Sequence, residues 1–177
     1  MVEVVPLAQI PDAAVEALLD RAFAPGRRAR TAYRIRAGLV PIPALSFAAL
    51  DHDVTVGTIQ CWPVTLTGED GRGWPLVMLG PVAVEPVRQG TGVGRLLIAR
   101  VLAAAAGAGL DGAIMLIGDP DYYGPFGFTA ERTARWSLPG PFEPHRLLAR
   151  GAAVPAVAGA LGPRGFTGPA PVPNDEA

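Results

Sequence analysis

The sequence contains no lysine: all fifteen of its basic residues are arginine. Coding bias in a chain rich in Ala, Gly, Pro and Arg accounts for this. The chemical consequence is that an enzyme with this sequence cannot acylate a lysine of its own. Cysteine is almost as scarce. Cys61 stands alone, which excludes an internal disulfide and any multi-cysteine metal site. No uncharged apolar run approaches the roughly 18 residues that span a bilayer. Met1-Val2-Glu3-Val4 lacks the basic start and apolar stretch of a secretory signal. The net charge of −1 gives no electrostatic reason to expect nucleic acid or a membrane surface as partner. These absences lead us to expect a soluble cytoplasmic protein. Half of the 177 residues are hydrophobic, enough for one domain with a sizeable core over residues 1–167. Residues 168–177 read as a disordered tail of Pro, Gly and acidic residues.

The pattern along the chain mixes both periodicities. Val2–Pro6 reads as a short strand. Asp12 suits the cap of a helix that places Val15, Leu18, Leu19, Ala22 and Phe23 on one face, ended by Pro25-Gly26. Five arginines between 27 and 36 follow, on a short second helix stopping near Gly38. Leu45–Leu50 and Val54–Trp62 look like strands joined at Asp51-His52-Asp53. A polar turn at Thr67–Gly73 leads to a strand over Leu76–Val84. A helix with Leu96, Leu97, Val101 and Leu102 fades at Gly107 and Gly109. Ala113–Ile117 then suits a buried strand parallel to Leu76–Val84, since a crossover helix separates the two. Asp119-Pro120 is a good start for a short helix through Tyr122 and Tyr123, broken at Gly127. Phe128–Leu138 and His145–Ala149 supply candidate closing strands.

The stretch Gln89-Gly90-Thr91-Gly92-Val93-Gly94 carries the most chemistry. Three glycines in five residues leave backbone N–H groups unshielded, and a helix N-terminus adds its positive dipole end. Such a loop suits a phosphate; a purely structural turn is the alternative. A P-loop needs Gly-Lys-Ser/Thr, whereas Arg95 and Leu96 follow Gly94 here. The glycines at 90, 92 and 94 also miss the Gly-x-Gly-x-x-Gly spacing of a dinucleotide site. Gly80-Pro81 interrupts the preceding strand. Proline gives the ladder no donor, so the strand should bulge or part from a neighbour there, leaving backbone groups for an extended ligand arm.

Val84-Glu85-Pro86 with Gln89-x-x-Gly92-x-Gly94, followed by Tyr123-x-x-x-Gly127-Phe128, resembles the two signatures of the GNAT acetyltransferase superfamily. Leu79–Val84 and Gly118–Phe128 look like a bacterial branch of N-acetyltransferases. The resemblance implies an α/β fold: a central, mostly antiparallel sheet with a splayed parallel pair, flanked by helices. It also implies acetyl-CoA as the acyl donor, no metal, and a small-molecule or peptide amine as acceptor, attacking the thioester directly in a ternary complex. By the same resemblance, Gln89, Gly90, Thr91, Gly92, Val93, Gly94 and Arg95 hold the pyrophosphate. Val82, Ala83 and Val84 pair with the pantetheine arm, and the Val82 N–H faces the oxyanion because Pro81 has none. Tyr123 becomes the proton donor to the departing thiolate. Ordinary pKa values of about 10 and about 8.5 make full transfer uphill by roughly 2 kcal/mol, so a strengthening hydrogen bond describes it better. The alternative is that both tyrosines only pack the helix on the sheet.

No residue stands out as the base. Glu85 precedes a proline, Asp119 suits a cap, and Asp51, His52 and Asp53 suit a hairpin. His145 lies in a loop. A water chain is as good a candidate as any of them. The arginines at 27–36 read as a solvated face, with attraction of an acidic acceptor or of the nucleotide phosphate as the other option. Trp62, Trp74 and Trp136 suit either the core or an apolar acceptor pocket. Two rival readings stand beside the enzyme: a non-catalytic acyl-CoA-binding or regulatory domain, and a nucleotide-binding domain. The sequence selects neither an acceptor nor an oligomeric state.

Overall fold

The computed structural model describes residues 1–164, so the proposed tail lies outside the described residues. In chain order the elements are β1 (Val2–Pro6), α1 (Asp12–Ala22), α2 (Thr31–Ile35), β2 (Phe47–Asp51), β3 (Val54–Gly68), β4 (Gly73–Val84), α3 (Val93–Gly107), β5 (Ile114–Ile117), α4 (Pro120–Tyr123), β6 (Trp136–Ser137), β7 (Leu147–Arg150) and β8 (Gly159–Pro163). The strands form one mixed sheet in the order β1-β2-β3-β4-β5-β7, with β8 pairing β3 and β6. The β1–β2, β2–β3, β3–β8 and β5–β7 pairs are antiparallel. The parallel β4–β5 pair joins Val77 to Ile114 and Met78 to Met115. Crossover through α3 accounts for that direction.

The chain clusters into two compact units. One comprises Met1–Arg27, Pro41–Cys61 and Leu79–Gly109. The other comprises Arg28–Val40, Trp62–Met78 and the chain from Leu110 on. In the first, α1 turns Val15, Leu18 and Leu19 onto Ala83 of β4. Full burial of a leucine such as Leu18 contributes about 1.5–3 kcal/mol relative to exposure. Helix α3 buries Val93, Leu97, Ile98, Val101 and Ala105. Gly57 of β3 makes room for that face: a Cβ there would lie 2.7 Å from Val93 and 3.1 Å from Leu97. The core of the second unit gathers Ile35, Trp62, Val64, Leu76, Met78, Met115, Trp136 and Leu147.

Several sequence expectations need correction. Pro11 is the N-cap of α1, and Asp12 is its first helical residue, where its charge still favours the dipole. Leu45 lies in a 3-10 turn opened by Pro43, so β2 starts only at Phe47. Strand β3 continues past Trp62 and through Pro63 to Gly68, and the missing donor at Pro63 does not end it. Within Phe128–Leu138 the strand is only Trp136–Ser137, which pairs in parallel with Gly159–Ala160 of β8, a strand the sequence hid. Nor are the arginines at 27–36 simply a solvated face. Arg27 is buried on Glu16 at 2.6 Å and Asp20 at 3.0 Å. Arg36 is buried with its guanidinium 4.1 Å from the Tyr33 ring centre and 4.6 Å from that of Trp62.

Candidate active site

The glycine loop belongs to the first unit, where two ion pairs hold its approach. Glu85 receives a two-pronged contact from Arg21, at 2.9 and 3.0 Å, while its own N–H donates to Val56 O at 2.8 Å. Arg88 closes the 3-10 turn Pro86–Arg88 and donates to Asp51 at 2.7 Å. Asp51 is therefore a loop anchor that no sequence spacing revealed. Its carboxyl is held below its usual range, chiefly by the Arg88 hydrogen bond.

Gly90 and Gly92 have φ of 80° and 93°, a region that glycine enters without a Cβ penalty. Nothing lies within 4 Å of where a Cβ would stand at either position. Gly92 is the N-cap of α3, and the first bond of its ladder runs from Leu96 N–H to Gly92 O at 3.0 Å. The N–H groups of Gly92, Val93, Gly94 and Arg95 thus have no helical acceptor, as at any helix start. Gln89 and Thr91 differ: their N–H groups bond back to Pro86 O and Arg88 O. The Gln89 side chain reaches Val84 O at 3.4 Å. Upstream in β4, Ala83 is fully buried, while Val82 and Val84 are half-buried.

Tyr123 belongs to the second unit. Asp119 caps α4 by accepting from Asp121 N–H at 2.9 Å, as its position before Pro120 suggested. The Tyr123 ring lies across Gly118, where a Cβ would meet Cε2 at 2.5 Å. Tyr122 packs edge-on at 4.9 Å and Phe128 at 6.1 Å. Burial, with smaller effects from Tyr122 and Asp119 opposed by Arg146, pushes the Tyr123 phenol up to about 12. It is therefore protonated, and a hydrogen-bond donor, throughout the neutral range. Arg150 of β7 fixes the far end of this segment by donating to Phe126 O at 2.9 Å.

A cavity of about 670 Å³ also lies in the second unit, lined among others by Arg30, Thr31, Ile117, Phe142, Glu143 and Arg146. His145 is exposed and does not line it. Trp62 and Trp136 belong to the core, with Trp74 packed against it, and none of the three lines the cavity. Cys61 is fully buried, and desolvation pushes its thiol up to about 12. Among the described residues there is no cluster of three His, Cys, Asp or Glu able to hold a metal, and no helix is long and apolar enough to cross a membrane.

Comparison with known proteins gives this geometry its context. A GNAT-family acetyltransferase from Brucella melitensis, solved in complex with acetyl-CoA, is 25% identical with a TM-score of 0.64, over 93% of this chain and 97% of that one. The Escherichia coli GNAT-family N-acetyltransferase YhbS, solved with CoA, shares the fold at 22% identity and a TM-score of 0.68, over 97% and 95% of the two chains. Arabidopsis thaliana Naa50, in complex with a bisubstrate analogue of CoA and a peptide, shares it at 18% identity and a TM-score of 0.54, over 85% and 98%. No curated protein sequence matches the chain. The acetyltransferase (GNAT) family pattern matches residues 13–124, covering the glycine loop and Tyr123. With more than half its length inside that match, the chain belongs to the GNAT acetyltransferase family.

Proposed function

We propose that this protein is an N-acetyltransferase that moves the acetyl group of acetyl-CoA to a primary amine by direct attack in a ternary complex. The observation that carries the reading is the row of helix-start amides from Gly92 to Arg95, opened by two glycines in the left-handed region. A pyrophosphate answers both their unmet donors and the dipole behind them. The residues fit the donor in other respects. Gly90 and Gly92 leave open space where a side chain would block a close phosphate, and Val82–Val84 offer backbone of strand geometry to the pantetheine amides.

Acetyl-CoA supplies the activated thioester carbonyl. The amine nitrogen bonds to that carbon, the C–S bond breaks, and the attacking nitrogen gives up a proton to water. Val82 N–H is the donor for the oxyanion. Tyr123 is the hydrogen-bond donor to the thiolate. With its phenol near 12, it stabilises the developing negative sulfur without becoming a phenolate. Glu85, Asp51 and Asp119 are occupied by Arg21, Arg88 and the start of α4, which favours solvent as the amine's proton acceptor. That same occupancy sustains the second reading, a domain that binds acyl-CoA without chemistry.

A thermal-shift comparison of acetyl-CoA, CoA, NAD and ATP tests the loop. We expect both CoA species to stabilise the protein and Gly92→Asp to abolish the effect. Stabilisation by NAD or ATP alone would overturn the reading. Release of free CoA thiol across an amine panel then separates enzyme from binder. Tyr123→Phe should lower kcat on every active amine while leaving coenzyme stabilisation intact. Unchanged turnover would remove Tyr123 from the chemistry.

A further inference from the structure

The cavity of the second unit is lined from three separate stretches of chain. Ala29–Ala32 line one side, Pro141, Phe142, Glu143 and Arg146 another, and Ile117, the last residue of β5, completes the lining. The first two stretches are tied together before any ligand arrives. Thr31 Oγ1 donates to Pro141 O at 2.5 Å and Arg34 Nη1 to Pro139 O at 3.0 Å. Gly140 fits between them only because it lacks a side chain: a Cβ would lie 2.6 Å from Thr31 Oγ1. Such a cavity retains its shape, and its volume falls in the usual ligand range of roughly 300–1,000 Å³.

Its charge is mixed and weighted to the positive. Among the described lining residues, Arg30 and Arg146 stand against one carboxylate, Glu143. The Glu143–Arg146 contact runs through Nε at 3.6 Å, longer than a hydrogen bond, so Glu143 does not hold the fork of the guanidinium. A guanidinium presents a planar fork that matches a carboxylate. Glu143 gives the same cavity a place for an ammonium. Ile117, Ala32 and Phe142 give the lining an apolar part.

Two lining residues, Ile117 and Arg146, connect to the support of the candidate tyrosine. Gly118, on which the Tyr123 ring rests, follows Ile117 directly and donates its N–H to Arg146 O at 2.9 Å. The Arg146 charge is felt at the phenol, opposing the rise that burial imposes.

We infer that this cavity is the acceptor site and that it selects a primary amine carrying a carboxylate, held by Arg146 and Arg30 with its ammonium towards Glu143 before deprotonation. The inference rests on the acetyltransferase reading and names its substrate class.

The test is thiol release at saturating acetyl-CoA with matched acceptors: phenylalanine, phenylalaninamide and phenethylamine, and a second set built on an aliphatic amino acid. Carboxylate members should exceed their neutral partners in kcat/KM by about tenfold or more, the size of a charge-assisted hydrogen bond. Arg146→Gln and Arg30→Gln should each shrink that ratio through KM. Equal kcat/KM within the matched sets, or a ratio that Arg146→Gln leaves unchanged, overturns the inference. A binding arm keeps it falsifiable if no amine is turned over. N-acetylphenylalanine should stabilise the wild type more than its neutral amide does, and Arg146→Gln should remove the difference. Absence of turnover with that difference present defeats the enzyme reading but upholds carboxylate recognition. No difference defeats the inference. Unaltered stabilisation of both variants by CoA verifies that they fold.

Discussion

The two units use the same cation in different ways. In the first, guanidiniums meet carboxylates: Arg21 on Glu85, Arg27 on Glu16 and Asp20, Arg88 on Asp51. In the second, beside the longer Arg146–Glu143 contact, five guanidiniums meet backbone carbonyls. Arg34 donates to Pro139 O, Arg132 to Val154 O, Arg135 to Ala156 O, Arg150 to Phe126 O and Arg164 to Leu76 O, at 2.8 to 3.2 Å. The difference follows from the chain. The second unit carries proline-rich connections at 139–144 and 155, where ladders end and carbonyls lose their N–H partners. A forked donor on a long stem replaces those partners from a distance, which regular elements do not require. Ion pairs in the first unit titrate, whereas carbonyl clamps in the second do not.

The largest break in this pattern should come from Arg36→Ala, which removes a buried cation stacked against Tyr33 and Trp62. We expect a loss of about 2–3 kcal/mol in denaturant unfolding, with Arg36→Lys recovering less than half because the planar stack is gone. A loss within the error of the measurement would make those contacts incidental. Arg150→Met should cost less, about 1–2 kcal/mol, by leaving Phe126 O without its donor. It should also lower kcat, because the Tyr123–Phe128 segment loses its tie to β7. If stability falls while kcat is unchanged, that tie does not position the tyrosine. Arg27→Gln should cost about 1 kcal/mol, since its two carboxylates are exposed enough for water to replace the guanidinium.

The smallest effect is also the sharpest test of the contrast. The folded-state pKa of Asp51 is lowered, mainly by Arg88 and further by the N-terminus and His52. Its contribution is therefore complete above the unfolded value, roughly 3.9, and is lost as pH falls through the lower folded one. Stability of the wild type should decline over that acid range, and Asp51→Asn should flatten the decline. Amide protection in β2 and the 86–88 turn should fall before protection around Phe126 and Val154. Simultaneous loss in both regions would erase the distinction between titrating and non-titrating contacts.

Much of the framework was readable from local chemistry. The α1 stripe of Val15, Leu18 and Leu19, the crossover that makes β4 and β5 parallel, and the Asp119-Pro120 start of α4 each follow from a short-range rule. The positive φ values at Gly90 and Gly92 are also what such a loop requires. What was not readable depends on partners distant in sequence. The sequence Gly159–Pro163 does not look like a strand, and becomes one because β3 offers it a continuous edge from Val64 to Gly68. Arg36 looked like surface charge until Trp62 supplied its second ring. Asp51 looked like hairpin polarity until Arg88 reached it across 37 positions. The cavity lining is drawn from three separate stretches, so no motif announces it. Gly118 gave a faint signal as the residue ahead of Asp119-Pro120, although its reason, the tyrosine ring lying over it, is purely three-dimensional.

The solitary thiol, sealed in the first unit with its proton firmly held, makes the native molecule invisible to disulfide-exchange dyes. Any CoA thiol released in such an assay would be read without a blank from the protein itself. Under denaturant the same atom becomes an intrinsic clock, because its labelling rate reports how often that core opens to solvent.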